Sequence, residues 1–283
     1  MVVLWECATG PELYEVARAD GMVIVPVGAI EQHGPHLPVS TDSVAAEQLA
    51  TAAAQRANLS IPVVLAPTMR YGYSEDHLGF AGTLTLSARV LEDVLTEIGA
   101  SVLTSGFKRL LFLNGHGSND RLLYYVVRRV RERAQRECAI AGVTYWKLAT
   151  HDLAELRRSG SGGMGHACEL ETSLMLHFTP DLVHMDRAVR EVPAPYSRYR
   201  ADDLLSSGSV LTPERFVERT RSGVMGDPLM ATAAQGERFA DAITGRLSEF
   251  LEEFAGWPVG IVTQDTAWDD PAREPSKPHT EEL

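Results

Sequence analysis

The chain has 283 residues, 45% of them hydrophobic and 23% charged, which excludes a mostly disordered protein and leaves room for one large domain or two small ones. Twenty-six Lys and Arg against 38 Asp and Glu give a net charge of -12, so nucleic-acid phosphate and anionic membranes are repelled on average and neither is an expected partner. No stretch reaches the roughly 20 apolar residues that span a bilayer. The N-terminal segment lacks a basic n-region, and Cys7, Cys138 and Cys168 are far apart with no CxxC, which fits a reducing cytoplasm.

In chain order, MVIVPV at 22–27 is apolar and β-branched and predicts a buried strand. A Gly-, Pro- and His-rich loop follows, and Thr41 or Asp42 opens a helix to about 56. PVVLAP at 62–67 predicts a second strand, and residues 68–85 a long loop. Ser87 caps a helix whose apolar positions Leu91, Val94, Leu95, Ile98 and Val102 recur at helical spacing, and Gly106 stops it. RLLFLN at 109–114 is a third strand, 120–137 a helix whose RRVRER run forms a wet face, and AIAGVTYW at 139–146 a fourth strand. Nearly all-apolar strands alternating with helices predict an α/β fold with a mainly parallel sheet covered on both faces. Farther on, RSGSGGMG at 158–165 reads as a flexible loop, 168–178 as a helix and 180–226 as irregular. Asp227-Pro228 predicts the start of a long helix to about Phe254, with Asp227 as its cap. No linker divides the chain, so one domain is expected over 1–256, with a loosely ordered tail at 257–283.

Sites in open α/β sheets form beyond the carboxyl ends of strands. Three segments there carry metal-type ligands. Glu31 and His33 are two apart and point the same way in an extended chain, and Asp42 can return to them after the Pro- and Gly-bent loop. His116 stands between Gly115 and Gly117, which permit close approach. Glu169 and Glu171 lie on different faces of the helix after His166, so only one of them is expected to reach the cluster. Cys168 beside His166 has no separate orienting partner, which speaks against a thiol nucleophile. Glu, His, Asp, His and Glu are too many for one catalytic zinc and suit two metals bridged by a carboxylate. A dinucleotide-binding reading fails because VGAIEQHG stands where a G-x-G-x-x-G would be needed.

The segments EQHGPHLPVSTD, NGHGSN and HACELETS resemble the three signature segments of the creatininase family; SEDHLGFAGT and GVMGDP resemble further family segments, and the similarity covers roughly residues 20–255. The resemblance implies a three-layer α/β/α fold, a dinuclear site for two divalent ions (Zn, Mn or Fe), an amidohydrolase acting on a C–N bond outside ordinary peptides, and a homohexamer. Carried over, Glu31, Asp42 and His116 match the ligands of one metal, and His33, Asp42 and Glu171 those of the second, with Glu171 chosen because the family's ETS triplet matches 171–173. His166 matches the family's catalytic acid or base, and Ser74 and Gly117 are substrate-contact candidates. Gln32 and His36 are expected to support the ligands, His36 as a buried, hydrogen-bonded imidazole. Gly117 and Ser118 stand where creatininase itself has Tyr and Glu, and Gly162 where it has a substrate-covering Trp. The expected substrate is therefore a small amide such as a cyclic amide or formamide rather than creatinine, with two alternatives: a peptide precursor trimmed by a peptidase-type member, or a metal-binding relative without catalysis.

Overall fold

The computed structural model describes residues 2–260, except 135 and 207. Five parallel strands form the sheet: β1 (Val2–Leu4), β2 (Met22–Val27), β3 (Val63–Leu65), β4 (Arg109–Asn114) and β5 (Ala139–Thr144), in the order β1-β3-β2-β4-β5. β2 is central and pairs with β4 over six residues, from Met22 opposite Arg109 to Val27 opposite Asn114. The period of two sorts its side chains. Met22 and Ile24 enter the core under α2 (Thr41–Arg56), α7 (Glu169–Phe178) and α9 (Ala233–Ala255). Val23, Val25 and Val27 enter the opposite core under α1 (Gly10–Arg18), α3 (Ala88–Thr104) and α4 (Asp120–Arg133). The result is the expected α/β/α sandwich. Among the described residues, no helix is long and apolar enough to cross a membrane.

Several boundaries differ from those the sequence predicts. β1 is only three residues long, too short to show a period. α1 carries a legible signal, the Thr9-x-x-Glu12 capping box, with the Thr9 N–H donating to Glu12 Oε2 at 2.7 Å. Tyr145 and Trp146 leave the sheet and start the short helix α5 (Tyr145–Leu148), followed by α6 (Thr150–Leu156). Asp227 does not cap α9: Pro228–Met230 form a 3-10 turn, Asp227 pairs with Arg190 at 3.0 Å, and the Thr232 hydroxyl caps the helix by accepting from the Gln235 N–H at 3.1 Å. The 158–165 loop ends in a strand, β6 (Met164–His166), which pairs antiparallel with β7 (Met225–Gly226); between them in the chain lies α8 (Phe216–Arg219). Trp257 packs edge-on against Phe254 at 5.1 Å, and the rest of the expected tail, 261–283, lies outside the described residues.

Two glycines let α2 start against the strand ends. A Cβ on Gly28 would lie 2.5 Å from Ser43 Cα, and one on Gly115 would lie 2.6 Å from the Asp42 carbonyl oxygen. Without side chains there, the first turn of α2 and its Asp42 pack directly over the carboxyl ends of β2 and β4.

Candidate metal centre

Four of the five ligand-type residues gather at the carboxyl ends of β2 and β4; the fifth, Glu171, is brought to them by α7, which follows β6 of the separate two-stranded sheet rather than a strand of the parallel one. Glu31 and His33 follow β2, and His116 follows β4. Asp42 and Glu171 occupy the first turns of α2 and α7, where the helix dipole favours a carboxylate. The His116 peptide is clamped by Asn114, whose side chain donates to the His116 carbonyl at 2.7 Å and accepts from its N–H at 3.1 Å. All five residues are buried.

Main-chain carbonyls decide which imidazole nitrogens face inward. His33 Nδ1 donates to the Glu31 carbonyl at 3.2 Å, leaving Nε2 toward Asp42 Oδ1 at 3.1 Å and Glu171 Oε1 at 3.9 Å. His116 Nε2 donates to the Tyr73 carbonyl at 2.8 Å, leaving Nδ1 toward Asp42 Oδ2 at 3.0 Å and Glu31 Oε2 at 3.3 Å. Asp42 thus gives one oxygen to each ring. Lone pairs of neutral imidazoles facing carboxylate oxygens repel unless positive charge lies between them. Both Glu31 oxygens, His33 Nε2 and Asp42 Oδ2 are buried without a hydrogen-bond partner, an arrangement that is costly unless a cation completes it. Glu31, Asp42 and His116 form one group able to hold a metal ion, and His33, Asp42 and Glu171 another; their donor atoms lie within 4.8 Å of one another in each. Carboxylate and imidazole donors suit zinc, manganese or iron.

The electrostatics carry the same demand. Burial draws His33 and His116 toward the neutral form, yet the facing carboxylates outweigh it and hold both well above the ordinary 6.5. Burial, with Asp42 adding to it, pushes Glu31 up to about 7 against the pull of His116 and His33. For Asp42 burial acts upward, but the two imidazoles prevail and hold its carboxyl below the ordinary range. His166 behaves oppositely to the other two rings: burial, then the neighbouring His33, lowers it to about 3.

A family model described as creatinine amidohydrolase matches residues 6–251. The chain belongs to the creatininase family. Its curated relatives include a mycofactocin precursor peptide peptidase of Mycolicibacterium smegmatis, 35% identical over 79% of this chain and 82% of that protein. A protein of the same name from Mycobacterium ulcerans is 33% identical over 85% and 88%. The creatinine amidohydrolase of Pseudomonas putida is 30% identical over 81% and 90%. Among solved structures, a manganese creatininase superposes with a TM-score of 0.76 at 24% identity, covering 90% of this chain and all of that one. The fold is therefore that of the family, and the family is one of hydrolases.

The remaining predicted residues of this creatininase-family chain fall into two groups. His166 and Gly117 line a cavity of about 110 Å³ over the cluster, with Trp146, Leu204 and Phe216 among its walls. Ala167, next to His166 in the chain, takes φ +49°, strained for a residue with a Cβ. The others stand behind or beside the cluster. Ser74 is placed behind His116, its hydroxyl 3.4 Å from Nε2, the nitrogen turned away from the carboxylates. Glu169, the alternative to Glu171 that helix spacing leaves open, points elsewhere: it accepts from the backbone N–H groups of Arg158 at 2.9 Å and Ser159 at 2.7 Å and so anchors the 158–163 turn. Cys168 is a buried helix cap whose thiol is raised by burial, an inert setting. His36 is buried, with Nε2 2.9 Å from the Thr172 hydroxyl.

Two residues have no counterpart among the sequence-predicted ones. His77 is buried, with Nε2 3.4 Å from Glu31 Oε1. Phe216 stacks on the His77 ring at 4.0 Å and meets the His166 ring edge-on at 4.7 Å. A second cavity of about 270 Å³, lined among others by Arg200, Asp202, Glu214 and Arg219, adjoins the first and shares Asp76, Gly165, Leu204 and Phe216 with it. Signals for His77 lay only in the SEDHLGFAGT resemblance, and none marked Phe216.

Proposed function

We propose that this chain is a two-metal amide hydrolase cleaving a C–N bond in an extended, peptide-like substrate. The observation that carries the reading is Asp42, which presents one oxygen to each of two imidazoles in a cluster of unpartnered acceptors. Ions held by Glu31, Asp42 and His116 and by His33, Asp42 and Glu171 would acidify a water and polarise the substrate carbonyl.

The protein's own groups supply the rest. His166 donates Nε2–H to the Gln32 carbonyl at 2.8 Å, which leaves Nδ1 as a bare acceptor on the cavity wall. As a bare acceptor beside the reacting atoms, Nδ1 is placed to take a proton as water adds to the carbonyl. It then returns the proton to the leaving nitrogen, because an amide anion is a poor leaving group. Trp146, Leu204 and Phe216 limit water around the reacting atoms.

The adjoining second cavity favours a substrate longer than a small ring, as do relatives named as precursor-peptide peptidases. Gly162 and Gly117 stand where creatininase itself has Trp and Tyr, and the loss of that aromatic cover argues against creatinine. A second reading, hydrolysis of a formamide or cyclic amide, is favoured by the small inner cavity taken alone. The test is turnover on a panel of short peptides, formamides, lactams and creatinine with the chain loaded with zinc, manganese or iron. His166→Ala should keep its metal and lose about 10²–10⁴-fold in kcat. Undiminished turnover in that variant would contradict the proton role, and a wild type inert on the whole panel would leave a metal-binding protein without catalysis.

A further inference from the structure

Gln32 lies between two imidazoles and decides which nitrogen each turns toward the reacting centre. Its own amide is oriented without ambiguity: Oε1 accepts from the Gly34 N–H at 2.9 Å and Nε2 donates to the Gly223 carbonyl at 3.1 Å. The second amide hydrogen faces His77 Nδ1 at 3.1 Å, so Nδ1 must accept and His77 carries its proton on Nε2. The main-chain carbonyl of the same Gln32 accepts from His166 Nε2 at 2.8 Å, so the bare nitrogen of His166 is Nδ1. The Gln32 amide nitrogen also lies 3.2 Å from His166 Nε2, but both its protons are engaged and a carbonyl at 2.8 Å needs that nitrogen to donate.

One residue therefore sets out an acceptor and a donor side by side. His166 Nδ1 is 3.7 Å, and His77 Nε2 3.4 Å, from the same oxygen, Glu31 Oε1, and both rings line the inner cavity. The rings meet edge-to-face at 4.5 Å, and Phe216 holds the His77 plane by stacking on it. Among the described residues no acceptor is hydrogen-bonded to His77 Nε2–H. A fixed, unspent donor at the wall of the reacting cavity is what a developing oxyanion requires.

We infer that His77 is a further catalytic residue, giving its Nε2–H as a hydrogen bond to the substrate carbonyl oxygen as it becomes the tetrahedral oxyanion, with Gln32 as its positioning residue. This rests on the amide-hydrolase reading above. As the water oxygen bonds to carbon, the carbonyl π pair moves onto its oxygen and is met by this N–H. No proton leaves His77, and the pair returns as the C–N bond breaks and His166 protonates the nitrogen.

The test uses the full chain loaded with zinc, which is diamagnetic, and labelled with ¹⁵N-histidine. Long-range ¹H–¹⁵N spectra should show His77 purely as the Nε2–H tautomer, and Gln32→Met should convert it to a mixture while lowering kcat. His77→Phe keeps the stacking and removes the donor; kcat should fall roughly 10²–10³-fold with little change in KM. His77→Gln, whose amide nitrogen can occupy the Nε2 position, should recover at least a tenth of the wild-type rate. An Nδ1–H tautomer in the wild type, or a wild-type kcat in His77→Phe, overturns the assignment. If His77→Phe fails to melt cooperatively, Gln32→Met decides alone, since His77 is intact there: unchanged tautomer and rate would overturn it. Absence of turnover in the wild type sinks the amide-hydrolase reading, whereas wild-type turnover that survives His77→Phe sinks only this one.

Discussion

The cradle of metal-type ligands at the strand ends and the cover, the wall of the adjoining cavity around Arg200 and Arg219, handle charge in opposite ways. In the cover, Arg200 and Arg219 share Asp202 and Glu214: Arg200 Nε and Arg219 Nη2 reach the two Asp202 oxygens at 2.7 and 2.8 Å, and both guanidinium groups bond Glu214. The same two cations lie over the Tyr196 ring at 5.3 and 5.2 Å. Every charge in that network is matched. In the cradle, three carboxylates and two imidazoles converge in a buried volume with acceptor atoms left over. The charges of the cover are matched as folded, while the cradle has buried acceptors left without a hydrogen-bond partner and could hold added positive charge. Metal dependence should therefore reside wholly in the cradle and substrate selection in the cover.

Removing the shared carboxylate breaks this comparison hardest. Asp42→Ala should drop bound metal from about two equivalents per chain to under half an equivalent. It should also lower kcat/KM by on the order of 10³-fold, the scale of several kcal/mol of lost transition-state stabilisation. Plasma mass spectrometry on the purified variant reads the first, and initial rates the second. Chelation of the wild type should lower its melting temperature, because ions that bind only the folded cradle stabilise it by mass action; the Asp42→Ala melt should not respond to chelator. Full metal content in Asp42→Ala would show that the two imidazoles are not bridged through this residue.

Phe216→Ala sharpens the same contrast from the other side. The ring covers His77 and His166 and walls both cavities, so its loss should change selection rather than metal. The expected effect is about a tenfold rise in KM for the preferred substrate, the scale of about 1–3 kcal/mol for an altered apolar contact, with metal content unchanged. Metal lost together with KM would mean that the cover also supports the cradle.

The sequence carries the cradle far better than the cover, and the reason is physical. β2 is a six-residue apolar run and β4 holds four consecutive apolar residues between Arg109 and Asn114, so the pattern alone locates their carboxyl ends, and with them Glu31, His33 and His116. Helix-opening Asp42 follows from the same pattern. Periodicity does not separate Glu169 from Glu171, since both sit in the first turn of α7; the ETS resemblance favours Glu171, and the Arg158 and Ser159 amides, ten or so residues away, show where Glu169 goes. His77 sits in a 3-10 turn inside an aperiodic loop, and Phe216 on a four-residue helix within an irregular stretch, so neither has a period to betray its direction. Long-range contacts place them, and a local reading does not contain those contacts.

The smallest expected effect concerns His36, a buried imidazole of the cradle's rim that has its own partner in Thr172. Burial first, then the neighbouring His33, lowers it to about 4, with Glu171 opposing. Unfolded, the ring returns to its ordinary 6.5. Between these values the unfolded chain binds a proton that the folded chain refuses, so stability rises with pH across this window and is lost as pH falls from 6.5 toward 4. His36→Gln removes that proton while keeping a polar partner for Thr172. Urea midpoints should therefore fall less in the variant than in the wild type between about pH 7 and about pH 4.5, even though acid also weakens metal binding in both. An equal fall in the two would mean that His36 is protonated in the folded chain as readily as in the unfolded one, and that the rim, unlike the cradle, tolerates a charge without a partner.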